Sequence, residues 1–212
     1  MLIFLDFDDV LFNTRKFKDD YFDLFKKRGV TKDVFEKFYY DPLDKRNTKS
    51  YSPIGHIKRV CRQSQLNYSE FEEDVMQFTQ NTDRYVFNDT IKFLENFSKK
   101  ELCLISFSKT NFQKSKIFNS GIIKYFNQIE IVDELKGKAI EKIIKLKSSD
   151  ISERIYFIDD RVEHLTDAKI KNPNIITIFL LRKEGRHRDR RNKFCDYKVT
   201  STREILKIIK SK

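Results

Sequence analysis

The chain has 212 residues, 39% of them apolar and 35% charged, with three cysteines and a formal net charge of +11. That length can bury a real core, and the composition is that of a soluble, globular chain on the polar side. No apolar run approaches the about 18 residues that a membrane span needs, so no membrane partner is expected. Cys61, Cys103 and Cys195 are far apart and offer neither metal spacing nor a disulfide framework, which suits a reducing compartment. Met1-Leu2-Ile3-Phe4-Leu5-Asp6 has no basic n-region and no cleavage site, so a cytoplasmic location is expected. The positive charge would attract anions, although with 20 Phe, 5 Gly and no Trp it equally fits a coding bias towards Lys, Phe and Ile.

The chain opens on an unbroken apolar run, Leu2-Ile3-Phe4-Leu5, followed by Asp6-Phe7-Asp8-Asp9. A run without alternation predicts a strand covered on both faces, central in a parallel sheet. Asp6 and Asp8 are two apart, so they point the same way at the strand's carboxyl end, where open α/β sheets bind ligands. Helices are then predicted from Thr14 to Gly29, from a cap at Thr31 to Tyr39, from Ser52-Pro53 to Leu66, and from a capping box at Ser69-Glu70-Phe71-Glu72. Residues 42–52 read as a loop and 81–88 as a linker. No strand is predicted between Thr14 and Phe87, and the aromatic stripes there read as helix packing.

Strand and helix alternate from there on. A helix over 89–99 precedes a strand, Glu101-Leu102-Cys103-Leu104-Ile105-Ser106. A helix over 110–119 precedes a strand at 128–132. A helix over 137–147 precedes Arg154-Ile155-Tyr156-Phe157-Ile158-Asp159-Asp160. A helix over 162–171 precedes a strand at 174–181, a polar basic stretch reaches Asn192, and a capping box at Ser201-Thr202-Arg203-Glu204 opens the last helix. Alternation of this kind predicts parallel βαβ units. The expected fold is α/β: a doubly wound, mostly parallel Rossmann-like sheet over 1–13 and 88–212, with an inserted all-α segment over 14–87.

Three predicted strands end in polar residues: Asp6 and Asp8, Ser106, and Asp159 with Asp160. Clustered carboxylates repel one another, so a basic partner is expected beside them. Lys138 at a helix start is the candidate, preferred over Lys136 because it lies inside that start. The helix N-terminus adds partial positive charge.

These stretches resemble the motifs of the haloacid dehalogenase (HAD) superfamily. Leu5-Asp6-Phe7-Asp8-Asp9-Val10-Leu11 is similar to its first motif, Leu102-Cys103-Leu104-Ile105-Ser106 to its second, Lys138 in Lys136-Gly137-Lys138-Ala139 to its third, and Ile155-Tyr156-Phe157-Ile158-Asp159-Asp160 to its fourth. The segment 14–87 resembles a helical cap in the first insertion position. The resemblance implies a nucleophile at Asp6, a general acid/base at Asp8, phosphate contacts from Ser106 and Lys138, and Mg²⁺ held by Asp6, Asp8, Asp160 and, as a minor ligand, Asp159. It implies a Mg²⁺-dependent phosphatase that hydrolyses a small phosphate monoester through an aspartyl phosphate. A phosphotransferase or phosphomutase would use the same chemistry.

Two positions depart from the pattern. Asp9 stands where the first motif usually has Gly, and Asp159 where the fourth does. Glu163, one turn beyond Asp160, is a candidate for orienting metal-bound water, and Arg161 for meeting substrate. His56 and His164 read as ordinary helix residues. The tract 182–193 carries seven Lys or Arg and raises the alternative of a nucleic-acid-associated protein. It has no interleaved aromatic for base stacking, so a solvated loop is preferred.

Overall fold

The computed structural model describes residues 1–41, 51–147 and 154–211. Most of the loop expected over 42–52 therefore lies outside the described residues. The described chain divides into two compact units: Met1–Arg15, Val86–Phe107 and Ile122–Lys212 form one, and Lys16–Tyr85 with Ser108–Gly121 form the other.

The first unit is built on a sheet of six parallel strands: β1 (Leu2–Leu5), β2 (Leu102–Phe107), β3 (Gln128–Val132), β4 (Ile155–Asp159), β5 (Ile176–Leu180) and β6 (Tyr197–Val199). Their order is β3-β2-β1-β4-β5-β6. This is the Rossmann-like α/β arrangement that the alternation of elements predicts. Strand β1 lies between β2 and β4, with Leu5 level with Leu104 on one side and Ile158 on the other. All four of its residues are at most 2% exposed, which is why its sequence is apolar without a break.

Helices α7 (Gly137–Leu146) and α8 (Val162–Lys171) pack on each other and share a core with the sheet. Leu2 and Phe4 of β1 meet Phe157, Ile140, Ile143, Leu165 and Ala168 there. Helices α5 (Thr90–Leu94) and α9 (Thr202–Lys210) also pack together. The last helix starts as its capping box predicts, with the Ser201 hydroxyl accepting from the Glu204 N–H at 3.4 Å.

The second unit holds most of α1 (Thr14–Lys26), then α2 (Lys32–Lys37), α3 (Pro53–Ser64), α4 (Tyr68–Gln80) and α6 (Phe112–Asn119). Its core is aromatic. Tyr21, Phe25 and Phe35 pack around the fully buried His56, and Phe71 packs on Phe25, all four rings being at most 2% exposed. Thr31 and Ser52 cap α2 and α3 as their sequence positions predict.

Several expectations shift. Thr14 does not cap α1 but is its first residue, and its hydroxyl is directed elsewhere, as described below. The cap of α4 is Asn67, whose side-chain oxygen accepts from the Ser69 N–H at 3.1 Å, two residues before the expected box. The helix expected over 89–99 spans five residues and is followed by a 3₁₀ turn at Lys99–Glu101. Strand β6 has no counterpart in the sequence reading, since three residues of mixed polarity carry no period to detect.

Residues 108–121, counted with the α/β part on sequence grounds, group instead with the helices. Phe112 joins the aromatic cluster through Phe17 and Tyr51, the Asn119 side chain donates to the Thr79 carbonyl at 3.1 Å, and the Thr82 hydroxyl donates to the Lys116 carbonyl at 3.1 Å.

Candidate active site

The carboxyl ends of β1, β2 and β4 bring the acidic residues to one edge of the sheet. Asp6 follows β1 directly, and its N–H donates to the Ile158 carbonyl at 3.0 Å, continuing the ladder by one residue. Asp159 ends β4 and Asp160 follows it. Ser106 lies near the end of β2, 1% exposed. Asp6 and Asp160 are each 5% exposed and Asp159 is fully buried.

Buried carboxylates in this number need a cation. The chain supplies one from the residue before α7. Lys136 Nζ lies 2.6 Å from Asp6 Oδ1 and 2.7 Å from Asp159 Oδ2, with the lysine side chain 1% exposed. Lys138, the sequence candidate, sits on the surface with a 66% exposed side chain and pairs with Glu134 at 3.3 Å. The reason for this correction lies in helix geometry. A residue two positions further into a helix is turned by about 200° at 3.6 residues per turn, so only one of the two lysines can face the strand ends.

Gly137 fixes which lysine does. Its N–H donates to Asp167 Oδ2 at 2.7 Å, and a Cβ there would come within 2.5 Å of that oxygen and 2.7 Å of the Asp167 carbonyl oxygen. The first turn of α7 is thus drawn tightly against α8, and Lys136 projects from it into the acidic cluster.

Burial pushes the Asp6 carboxyl up to about 7, with Lys136 pulling it back and Asp159 and Asp8 raising it further. Burial, then the neighbouring charges of Asp159, Asp6 and Asp9, hold Asp160 well above the usual carboxylate range. Burial would lower the Lys136 ammonium, but Asp159 and Asp6 outweigh it and keep lysine charged far above neutral pH.

Asp8 is half-buried. It accepts a hydrogen bond of 2.5 Å from the Thr14 hydroxyl. Thr14 was read from sequence only as a helix cap; nothing in the local pattern shows that its hydroxyl serves a residue six positions earlier.

Asp9 resolves the first departure from the motif. It takes the left-handed conformation, φ 58°, which glycine adopts freely and Asp tolerates better than most residues. Its buried carboxylate pairs with Arg186 Nε at 2.6 Å. Asp159 resolves the second. One of its oxygens holds Lys136, and the other accepts from the Arg161 N–H at 2.8 Å.

The Glu163 carboxylate pairs with Arg161 Nη2 at 2.6 Å, and Arg161 also reaches Asp189 at 3.3 Å. Asp189 in turn accepts from the Val162 N–H at 3.1 Å and so caps α8.

Several arginines of the 182–193 tract are committed within the chain. Arg182, 6% exposed, forks onto Asp89 at 2.9 and 3.1 Å and donates to the Val10 carbonyl at 2.9 Å. Arg188 donates to the carbonyls of Lys183, Gly185 and His187 at 2.9 Å each, and Arg191 to those of Cys195 and Asp196. These side chains tie the loop down. His187 is half-buried, and burial together with Arg161 and Arg186 lowers its pKa, so the imidazole is neutral near pH 7.

The donor set suits a divalent cation. Ligand oxygens of Asp6, Asp159 and Asp160 lie within 4.8 Å of one another. The group sets three carboxyl side chains beside the single ammonium of Lys136, and its donors are the hard oxygens that Mg²⁺ prefers. Asp6 and Asp160 are the natural ligands, because both oxygens of Asp159 are already engaged.

No family model matches the chain, and no curated protein does either. Solved structures do. A haloacid dehalogenase-like hydrolase from Xanthomonas campestris superposes with a TM-score of 0.63 at 14% identity, covering 100% of this chain and 95% of that one. A HAD-type hydrolase from Bacillus subtilis bound to magnesium gives 0.61 at 10% identity, covering 98% and 97%. The L-2-haloacid dehalogenase of Xanthobacter autotrophicus gives 0.62 at 12% identity, covering 99% of each chain. The fold of this chain is therefore that of the HAD hydrolases. At such identities the likeness is one of fold, and the chemistry rests on the site itself.

Proposed function

We propose that this chain is a Mg²⁺-dependent phosphatase acting on a small phosphate monoester, with Asp6 as nucleophile. The observation that carries this reading is the pairing of a buried strand-end carboxylate, Asp6, with Lys136 at 2.6 Å inside a cluster of further acids. Such a site repels an anionic substrate unless a cation is bound, and Mg²⁺ held by Asp6 and Asp160 would supply that neutralisation.

The roles of the protein's own groups follow. An Asp6 oxygen attacks phosphorus, and the ester oxygen departs with a proton from Asp8. Asp8 then takes a proton from the water that attacks the same phosphorus, which frees phosphate and restores Asp6. Acid–base work of this kind is worth roughly 10²- to 10⁴-fold in rate. The Thr14 hydroxyl donates to Asp8 Oδ1 and fixes the carboxyl that would serve the leaving group. Lys136, held by Asp159, keeps the attacking carboxylate oriented and offers positive charge to the phosphoryl oxygens, with Ser106 as a further donor. Displacing halide from carbon requires neither the Asp8 proton nor the additional acids, which favours the phosphatase over the dehalogenase chemistry of the Xanthobacter protein. The internal commitment of the tract arginines favours a small ester over nucleic acid, and the helical insertion is the proposed source of substrate choice.

The test is turnover of an aryl phosphate with and without Mg²⁺. Activity should require the ion, disappear in Asp6→Asn, and fall in Asp160→Ala with partial recovery at high Mg²⁺. Turnover undiminished by a chelator, or retained in Asp6→Asn, would refute the reading.

A further inference from the structure

A second set of metal-ligating side chains lies beside the first. Ligand atoms of Asp9, Asp160 and His187 are all within 4.8 Å of one another. Asp160 belongs to both sets. His187 lies outside the four motifs that carry the family resemblance, and Asp9 stands where the first of those motifs usually has Gly.

The Asp9 carboxylate is only half satisfied. Oδ2 accepts from Arg186 Nε at 2.6 Å and from the Arg186 N–H at 3.3 Å. Oδ1 is buried and has no hydrogen-bond partner. Leaving a buried acceptor unpaired is unfavourable, and more so for a charged group. The fold nevertheless imposes this placement. Asp9 is held in the left-handed region at φ 58°, and its N–H donates to the Phe12 carbonyl at 2.8 Å. Arg186 orients the carboxylate from one side, as groups behind a metal ligand commonly do, and the unpaired oxygen belongs to the side chain that joins Asp160 and His187.

We propose that Asp9, Asp160 and His187 form a second divalent-cation site, selective for a borderline ion such as Mn²⁺, Co²⁺ or Zn²⁺, with Asp160 shared between it and the Asp6 cluster. The ligand types separate the two positions. The Asp6 cluster offers oxygen alone and suits Mg²⁺, whereas an imidazole nitrogen beside two carboxylates favours first-row transition ions. His187 is the least buried of the three and gives the ion a way in from solvent. The inference stands on this geometry and does not require that Asp6 attack phosphorus.

The experiment uses the full chain, stripped of metal and titrated with Mn²⁺, read by equilibrium stoichiometry and by pulsed electron paramagnetic resonance for nitrogen coupling. Two Mn²⁺ per chain are expected, one of them coupled to an imidazole nitrogen. His187→Gln should remove the nitrogen coupling and weaken that ion at least tenfold, in the range of about 10- to 100-fold seen when groups supporting a metal are lost. Asp9→Asn should weaken the same ion. Asp6→Asn should remove the oxygen-only ion and keep the nitrogen-coupled one, so the two positions are told apart. Should Asp9→Asn fail to fold, His187→Gln decides the matter. A single ion in the parent chain, no nitrogen coupling, or coupling that survives His187→Gln in a folded protein would overturn the proposal, whatever the outcome of the phosphatase assay.

Discussion

Replacing Lys136 by Met separates the two lysines that the sequence places side by side. In the folded chain Lys136 is the cation between Asp6 and Asp159, at 2.6 and 2.7 Å, and is 1% exposed. Removing one partner of a buried ion pair costs roughly 3–5 kcal/mol, because the remaining charge has no water to return to. Two carboxylates are stranded here, so the upper part of that range is expected. Lys138→Met touches only an exposed pair with Glu134 and should cost less than about 0.5 kcal/mol. The cost at Lys136 should depend on pH in a definite direction. Burial already raises Asp6 to about 7 with the lysine present, and losing the lysine raises it further. A carboxyl whose folded pKa lies above its unfolded one binds protons preferentially in the fold, so stability falls as pH rises through that interval. The Lys136→Met defect should therefore be larger at pH 8 than at pH 5, because parent and variant diverge only above the parent's Asp6 pKa of about 7. The assay is urea unfolding of metal-free protein at both pH values. With slopes of about 1–3 kcal/mol per M, the midpoint at pH 8 should drop by at least about 1 M. A Lys136→Met protein within about 1 kcal/mol of the parent at pH 8, against the 3–5 kcal/mol of a buried pair, or an equal loss in Lys138→Met, would refute the assignment.

Two further outcomes follow from the same packing. Gly137→Ala forces a Cβ to within 2.5 Å of Asp167 Oδ2 and 2.7 Å of its carbonyl oxygen, so it should cost about 1–3 kcal/mol by overpacking and lower activity by shifting Lys136; calorimetry and turnover check both. His56 is fully buried, bonded through Nε2 to the Phe35 carbonyl at 3.0 Å, and burial lowers its pKa to about 3. Stability from keeping it neutral is present above its unfolded pKa near 6.5 and is lost as pH falls towards 3, by at most about 5 kcal/mol at 1.36 kcal/mol per pH unit. His56→Phe should flatten that part of the pH–stability curve, and an unchanged slope between pH 6 and 4 would contradict it.

Much of the fold was legible because β1 and β4 are buried on both faces and so are apolar without interruption, and because polar residues follow them abruptly. Ser52, Thr31 and Ser201 announced their helices through cap chemistry that acts over three residues. What was not legible depends on contacts between distant segments. Choosing Lys136 over Lys138 required knowing how α7 meets α8, which Gly137 and Asp167 determine across 30 positions. The role of Thr14 depends on a turn that brings its hydroxyl back to Asp8. The basic tract reads as a solvated loop, with an anionic partner as the alternative, because sequence cannot show that Arg182 is matched by Asp89 or Arg186 by Asp9, each far away along the chain. Residues 108–121 carry no mark of the unit they join, since an amphipathic helix packs equally well on a sheet or on other helices.

In the proposed mechanism Asp6 carries the phosphoryl group. The direct measurement is mass analysis of the active-site peptide after acid quench of the enzyme mixed with an aryl phosphate and Mg²⁺, using Asp8→Asn to slow breakdown of the intermediate. One added phosphoryl group is expected on Asp6, with that aspartyl residue reduced to homoserine by borohydride. A burst of product with no modification at Asp6, or phosphoryl found on Asp8, Asp9 or Ser106 instead, would contradict it.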